Sequence, residues 1–329
     1  MSALAPTLEA FFTERLITQR WASPHTVASY RDTFRLLLGF AGHRVGKTPS
    51  ALGIEDLKAE LIGAFLQHLE LERHNSVRTR NNRLAAIHSL FGYAVLRHPE
   101  HAGLIHRVLA IPTKRTARPL VAFLTNEEID ALLNAPDRHT WTGRRDHALL
   151  VVAIGTGLRV SELTSLTRAN IELGRAAHVR CHGKGRKERI TPLSAQSCRV
   201  LRVWLAEHHG DETEPLFPSR RNGHLSRDAV GVLVTKHTRR AAESCRSLVT
   251  KKITPHVLRH TCAMRLLAAG IDNSVIALWL GHESVETTKI YLHADLAIKQ
   301  RALERTAPTG TKPGRYQVPD SLIAFLEAL

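Results

Sequence analysis

Residues 143–163 read G-R-R-D-H-A-L-L-V-V-A-I-G-T-G-L-R-V-S-E-L, and this stretch decides the fold. Residues 143–154 predict an apolar helix, which the Gly155-Thr156-Gly157 turn must break. A second helix begins near Arg159 and continues through Glu162 and Leu163. Downstream, residues 171–193 switch to short alternating runs around Gly183-Lys184-Gly185-Arg186, the pattern of a β-hairpin with a glycine-rich turn. Helices return after residue 197. Thr254-Pro255 opens one over 255–269 that stops at Gly270, the next covers about 273–280 and stops at Gly281, and Ser284 caps another that contains Tyr291. Upstream, Thr125 and Glu128 form a capping box.

The first 110 residues carry a different pattern, with apolar residues at three- and four-residue spacing over 6–20, 24–41, 54–72, 76–97 and 100–109. Tyr30, Phe34, Leu37, Leu38 and Phe40 make one stripe; Leu84, Ile87, Leu90, Phe91 and Ala94 make another. Ser23 with Pro24, and Ser76, are helix starts. Between the halves lies I-P-T-K-R-T-A-R-P (111–119), an extended basic linker. The expected organisation is a helical domain over 1–112, a linker over 113–119 and a second domain over 120–329. The fold class is mainly α with a small antiparallel sheet or hairpin in the second domain.

The chain has 329 residues, 43% hydrophobic and 23% charged, which excludes a disordered chain or a fibre. No run of about 18 apolar residues is present, which argues against a membrane span. The N-terminal residues lack a basic segment followed by an apolar run, so a cytoplasmic chain is expected, nucleoid-associated when bound to DNA. The net charge of +16 divides into +7 over residues 1–119 and +9 over 120–329, so both halves suit one polyanion. Cys181, Cys198, Cys245 and Cys262 form no CxxC pair and read as small buried hydrophobes. His256, His260 and Cys262 lack the further ligands that a zinc site needs, and no metal or other cofactor is expected.

Several polar side chains stand at structural junctions. Arg159 starts a helix after a glycine turn, and Glu162, three positions on, shares its face and can orient the guanidinium. Lys184 tips the hairpin. His256 and Arg259 occupy the first turn of one helix, where an anion is favoured. His282 follows a helix-ending glycine and Tyr291 lies on the next helix. Singly these read as surface or packing residues. Together they supply two guanidiniums, an ammonium, two imidazoles and a phenol, without an acidic cluster for Mg²⁺ or a GxxxxGK[ST] loop. That set suits phosphoryl transfer by a side-chain nucleophile with electrostatic stabilisation.

The segments G-T-G-L-R-V-S-E-L (155–163), H-G-K-G-R-K-E-R (182–189), H-V-L-R-H (256–260), L-G-H (280–282) and Tyr291 resemble the signature of the tyrosine recombinases, the phage-integrase family. The first half is similar, more loosely, to that family's core-binding, SAM-like domain through Thr26-x3-Tyr30 and Arg80-x2-Arg83-Leu84. The resemblance implies a site-specific recombinase that cuts and rejoins DNA through a 3′-phosphotyrosine, in integration, excision, resolution or transposition of a mobile element. It implies Tyr291 as nucleophile, Arg159 and Arg259 on the non-bridging oxygens, Lys184 as general acid, His256 as base or shuttle, His282 as donor and Glu162 in support. Arg186 and Lys187 are rivals to Lys184, whereas His260 and His293 read as local packing. The partners implied are double-stranded DNA with paired half-sites and a homotetramer on it, in some systems with related recombinases. Expected DNA contacts are Arg78, Arg80, Arg83, Lys114, Arg115, Arg118, Arg186, Lys187, Arg239, Arg240, Lys251 and Lys252. The apolar ending at 320–329 is expected to dock on a neighbouring protomer. An inactive DNA-binding relative, a type IB topoisomerase and a basic RNA-binding protein are the alternatives.

Overall fold

Side-chain caps set the helix starts in a computed structural model that describes residues 4–116, 121–183, 188–207 and 210–281. The chain divides into two compact units, Met1–Arg118 and Pro119–Leu329. In the first, α1 (Leu4–Ala10) runs on as a π-helical stretch over Phe11–Gln19, followed by α2 (Pro24–Val45), α3 (Ala59–Leu71), α4 (Val77–Ala94) and α5 (Ala102–Leu109). Ser23 Oγ accepts the Thr26 N–H at 3.2 Å with Pro24 in the first helical position, and Ser76 caps Thr79 in the same way. Phe11 is fully buried, its ring centroid 5.6–6.3 Å from those of Phe12, Tyr30, Phe34 and Tyr93. Phe34, Leu37, Leu84, Ile87, Leu90 and Phe91 join it in one core.

Two expectations for this unit are corrected. The helix anticipated over 54–72 begins only at Ala59, because the Asp56 carboxylate takes the Gly53 N–H at 2.8 Å and Lys47 Nζ at 2.7 Å, closing a separate 3₁₀ turn. Ile54 and Leu57 stay buried, so the apolar spacing passes through the break. Arg80 does not share an exposed face with Arg78. It is 6% exposed and donates to the Pro112 carbonyl at 3.1 Å. Beside it the Asn81 amide pairs with both backbone groups of Lys114, at 2.8 and 3.1 Å, and Lys114 Nζ reaches Glu70 at 2.8 Å. The start of α4 therefore straps down the start of the linker. A buried guanidinium needs such an acceptor, since leaving it unpaired costs several kcal/mol, about 3–5 in comparable cases.

The second unit comprises α6 (Asn126–Asn134), α7 (Trp141–Thr156), α8 (Val160–Ser165), β1 (Ile171–Glu172), β2 (His178–His182), β3 (Glu188–Pro192), α9 (Ala195–Glu207), α10 (Arg227–Ala241), α11 (Pro255–Ala268) and α12 (Asn273–Leu280). The chain is thus mainly α with a three-stranded antiparallel sheet in order β1-β2-β3. Ala148 to Ile154 of α7 are all buried, and α9 and α11 pack on that helix. Val179 pairs with Ile171 and Thr191, and Cys181 with Arg189. Asp146 of α7 accepts from Arg145 at 2.7 Å and pairs with His237 of α10 at 2.8 Å, so the charges buried between these helices are matched.

Lys251, one of the cations expected on DNA, has an ion-pair partner within its own unit. Its ammonium lies 2.7 Å from the buried Glu128 carboxylate, which also accepts from Ser247 Oγ at 2.6 Å and the Thr125 N–H at 2.9 Å. Burial opposes that charge, but the bonds from Lys251, Ser247 and Thr125 outweigh it and hold the carboxyl below its ordinary range.

Gly157 ends α7 in the left-handed conformation, φ 64°, and a Cβ there would lie 2.7 Å from Leu280 Cδ2 and 3.1 Å from Cys262 Sγ. Gly157→Ala is expected to lose about 2–4 kcal/mol, combining left-handed backbone strain with overpacking. Urea unfolding followed by tryptophan fluorescence checks this; an unchanged midpoint refutes it.

Candidate active site

Arg159 is the residue that the Gly157 turn turns outward to begin α8. Glu162, at the third helical position, accepts the Arg159 backbone N–H at 2.7 Å and its Nη1 at 2.8 Å. One carboxylate thus caps the helix and holds the guanidinium, as the three-residue spacing anticipates. Arg259 opens the second turn of α11, which Thr254 caps and Pro255 begins. Its buried guanidinium donates to the Gly157 carbonyl at 2.6 Å and to the Leu280 carbonyl at 2.7 Å. Arg159 Nη2 donates to the next carbonyl, Gly281, at 2.7 Å.

A third guanidinium enters from the sheet. Arg189 of β3 donates to the second oxygen of Glu162 at 2.9 Å and, by a short bond, to the Leu280 carbonyl. Three arginines from separate segments thus meet the C-terminal end of α12, whose carbonyls carry the negative pole of the helix. Gly281, at φ 63°, is the left-handed residue that ends α12, and a Cβ on it would collide with the Arg189 guanidinium. Three guanidiniums against the single Glu162 carboxylate leave this cluster with an excess of positive charge. The side chain of Arg159 is 29% exposed, that of Arg189 11% and that of Glu162 3%. Arg159 therefore faces outward while Arg189 and Glu162 stand behind it.

Arg189 is not marked out by the sequence motifs around it. One signal was available: in β3 the usual alternation is inverted, with Ile190 60% exposed and Arg189 on the same inward face as the buried Thr191. A cation on the inner face of a strand demands a buried acceptor.

His256 stands exposed at the start of α11, lining a groove of about 800 Å³ with Val160, Lys236, Arg239 and Thr254. His260, one turn further on, is partly buried, and burial with help from His256 and Arg259 lowers its pKa to about 4. Cys262 is buried beside Gly155, its Sγ 3.6 Å from that carbonyl, and burial pushes the thiol up to about 12. Arg78, Lys114, Arg115, Arg239, Arg240 and Lys252 are exposed, and Arg83 is half-buried. Lys184, Arg186, Lys187, His282, Tyr291, His293, Arg118 and the ending at 320–329 lie outside the described residues. The described arrangement can hold an oxyanion: forked donors converge on one place, and their own positions are fixed by carbonyls and a carboxylate.

Two family models match the chain: the phage integrase family over residues 122–297, and the phage integrase N-terminal SAM-like domain over 10–98. The Sinorhizobium fredii protein y4rC, named among the integrases/recombinases, is 55% identical over 100% of this chain and 99% of its own length. Tyrosine recombinase XerC of Pelobacter propionicus is 33% identical over 92% of this chain and 95% of its own. Among solved structures, the Tn1549 transposon integrase in complex with circular intermediate DNA shares the fold with a TM-score of 0.68 at 17% identity, over 93% of this chain and 100% of that one. The XerH recombinase bound to its palindromic difH substrate does so at 0.65 and 23%, over 83% and 78%.

His260 generates a pH prediction. Its folded pKa lies below its ordinary value of 6.5, so protons favour the unfolded chain, and stability present above pH 6.5 is lost as pH falls toward about 4. His260→Asn should flatten the fall in melting temperature across that window. An equally steep fall in the variant refutes the assignment.

Proposed function

The chain belongs to the phage integrase family, the tyrosine recombinases, and from that premise we propose how its own residues break and rejoin DNA at a specific site. The enzyme cleaves one strand at a time through a 3′-phosphotyrosine. Tyr291 Oη attacks the phosphorus, the 5′-oxygen leaves, and Lys184 protonates it. Arg159 and Arg259 hold the non-bridging oxygens, whose negative charge grows in the transition state; a guanidinium fork matches their geometry. His256 takes or relays the nucleophile's proton near neutral pH. His282 donates to the phosphate, and Glu162 keeps Arg159 in place. The phosphotyrosine retains the energy of the diester, so a 5′-hydroxyl from another strand reseals it without a nucleotide.

The observation that carries this reading is the meeting of Arg159 and Arg259, a hundred residues apart, on the adjacent carbonyls of Leu280 and Gly281. The residue that follows them in the chain is His282. His256 stands three residues before Arg259 on α11, on the same side of that helix. Each of these placements supports a common phosphate site.

Double-stranded DNA with paired half-sites is the substrate, and a homotetramer on it exchanges strands. Each unit contributes cations to salt-sensitive DNA affinity, among them the exposed Arg78, Arg115, Arg239, Arg240 and Lys252. Integration, excision, resolution or transposition of a mobile element is the setting, a reading supported by the name of the Sinorhizobium fredii relative and by the transposon integrase fold. The apolar ending at 320–329 docks on a neighbouring protomer, since so short an apolar segment needs a surface to cover it.

Suicide duplexes built from the ends of the element that carries the gene test the chemistry. The parent chain should form a covalent adduct in the presence of a chelator, and Tyr291→Phe should form none. Lys184→Ala should be slow on an ordinary duplex and restored on a 5′-thio leaving group, which needs no proton. An adduct that survives Tyr291→Phe defeats the nucleophile, and failure of the thio substrate defeats Lys184 as the acid. Deleting residues 315–329 should leave cleavage intact and abolish synapsis; unchanged synapsis defeats docking in trans.

A further inference from the structure

The structure points to a further residue of the reaction, and we propose that Arg189 is a positioning residue that couples Arg159 to Arg259. The role rests on the recombinase reading above. Arg189 shares an acceptor with each of the other two arginines. With Arg159 it shares Glu162, one guanidinium on each carboxylate oxygen, at 2.9 and 2.8 Å. With Arg259 it shares the Leu280 carbonyl. No other residue among the two groups of bonds touches both acceptors, so Arg189 closes a loop from Arg159 through Glu162, Arg189 and Leu280 to Arg259.

Its surroundings commit it to that loop. The side chain is nearly enclosed, against the more open Arg159. Across the strand pair it faces Cys181, whose thiol burial raises, a site that offers the guanidinium no anion of its own. Gly281 leaves the space that the guanidinium occupies, since a Cβ there would strike it. The geometry thus spends a fork of fixed shape on two acceptors that other arginines also use. A lysine in its place offers one compact charge and cannot span both.

The consequence is electrostatic. Like-charged guanidiniums repel, and the distance between Arg159 and Arg259 is held against that repulsion by the acceptor that each of them shares with Arg189. Without Arg189, the Glu162 oxygen that caps the Arg159 backbone N–H loses its guanidinium, and the Leu280 carbonyl loses one of its two donors. The two phosphate-binding forks then drift, and a misplacement of about 1 Å costs on the order of 100-fold in rate. Because Arg189 sits behind the surface, DNA affinity does not depend on it.

The experiment compares Arg189→Gln with the parent chain in single-turnover adduct formation on a suicide duplex. The scissile bond is either the natural diester or a methylphosphonate, in which a methyl group replaces one non-bridging oxygen and removes its charge. On the diester, Arg189→Gln should cleave about 100-fold more slowly with DNA affinity within about threefold of the parent. On the methylphosphonate the deficit should shrink below about tenfold, because less charge remains for misplaced guanidiniums to meet. Arg189→Lys keeps the charge, so its melting temperature should stay within about 3 °C of the parent while cleavage of the diester remains at least about tenfold slow. An equal deficit on both substrates, or cleavage of the diester within about twofold of the parent, overturns the role while leaving the recombinase reading standing. A parent chain that forms no Tyr291-dependent adduct on the diester overturns the recombinase reading, and the role of Arg189 with it.

Discussion

The last carbonyls of α12 and the three guanidiniums that bind them are mutually dependent, and the catalytic unit is organised around that dependence. Leu280 and Gly281 end a helix, so their carbonyls lack helical partners. Arg259, Arg189 and Arg159 bring the donors, from α11, β3 and the start of α8. Remove the carbonyls and three cations repel at short range; remove the cations and buried acceptors are stranded, at a cost of about 1–3 kcal/mol each. The glycine at each end of this arrangement follows from it. Gly157 turns the chain so that its own carbonyl reaches Arg259, and Gly281 clears the volume that Arg189 fills.

Much of this was legible in the residue order, for local reasons. Serine and threonine caps, proline at helix starts and glycine at helix ends act within four residues, so α2, α4, α6, α7, α11 and α12 begin or stop at residues whose chemistry announces it. The Arg159–Glu162 contact is local in the same way. Arg189 was not legible, because its partners are 27 and 91 residues distant and its place in a hairpin beside Lys184 and Arg186 made it one of several cations. The 3₁₀ turn at 54–56 escaped because Ile54 and Leu57 keep helical spacing while Asp56 redirects the backbone.

Net charge does not distinguish cations that face solvent from cations that already hold a partner in the protein. Arg80 and Lys251 belong to the same net excess as Arg78 and Lys252, yet each already holds an acceptor within the protein. Arg80 holds the Pro112 carbonyl, and Lys251 neutralises Glu128 under a helix start. Composition counts a guanidinium or ammonium without saying whether a carboxylate or carbonyl already owns it. The inward Arg189 and outward Ile190 of β3 carry the same lesson at the scale of one strand: a cation set where an apolar side chain belongs marks a built contact.

Cys262 lies one helical turn beyond Arg259, enclosed against the Gly155 carbonyl, with its thiol pushed up to about 12. Oxidants and electrophiles attack the thiolate, and this sulfur holds almost none of it at neutral pH and offers little surface to reach. Sulfur beside the arginine cluster therefore serves as filling for the space between α7 and α11. A cysteine can thus stand among the residues that position the arginines and act there as a small apolar group.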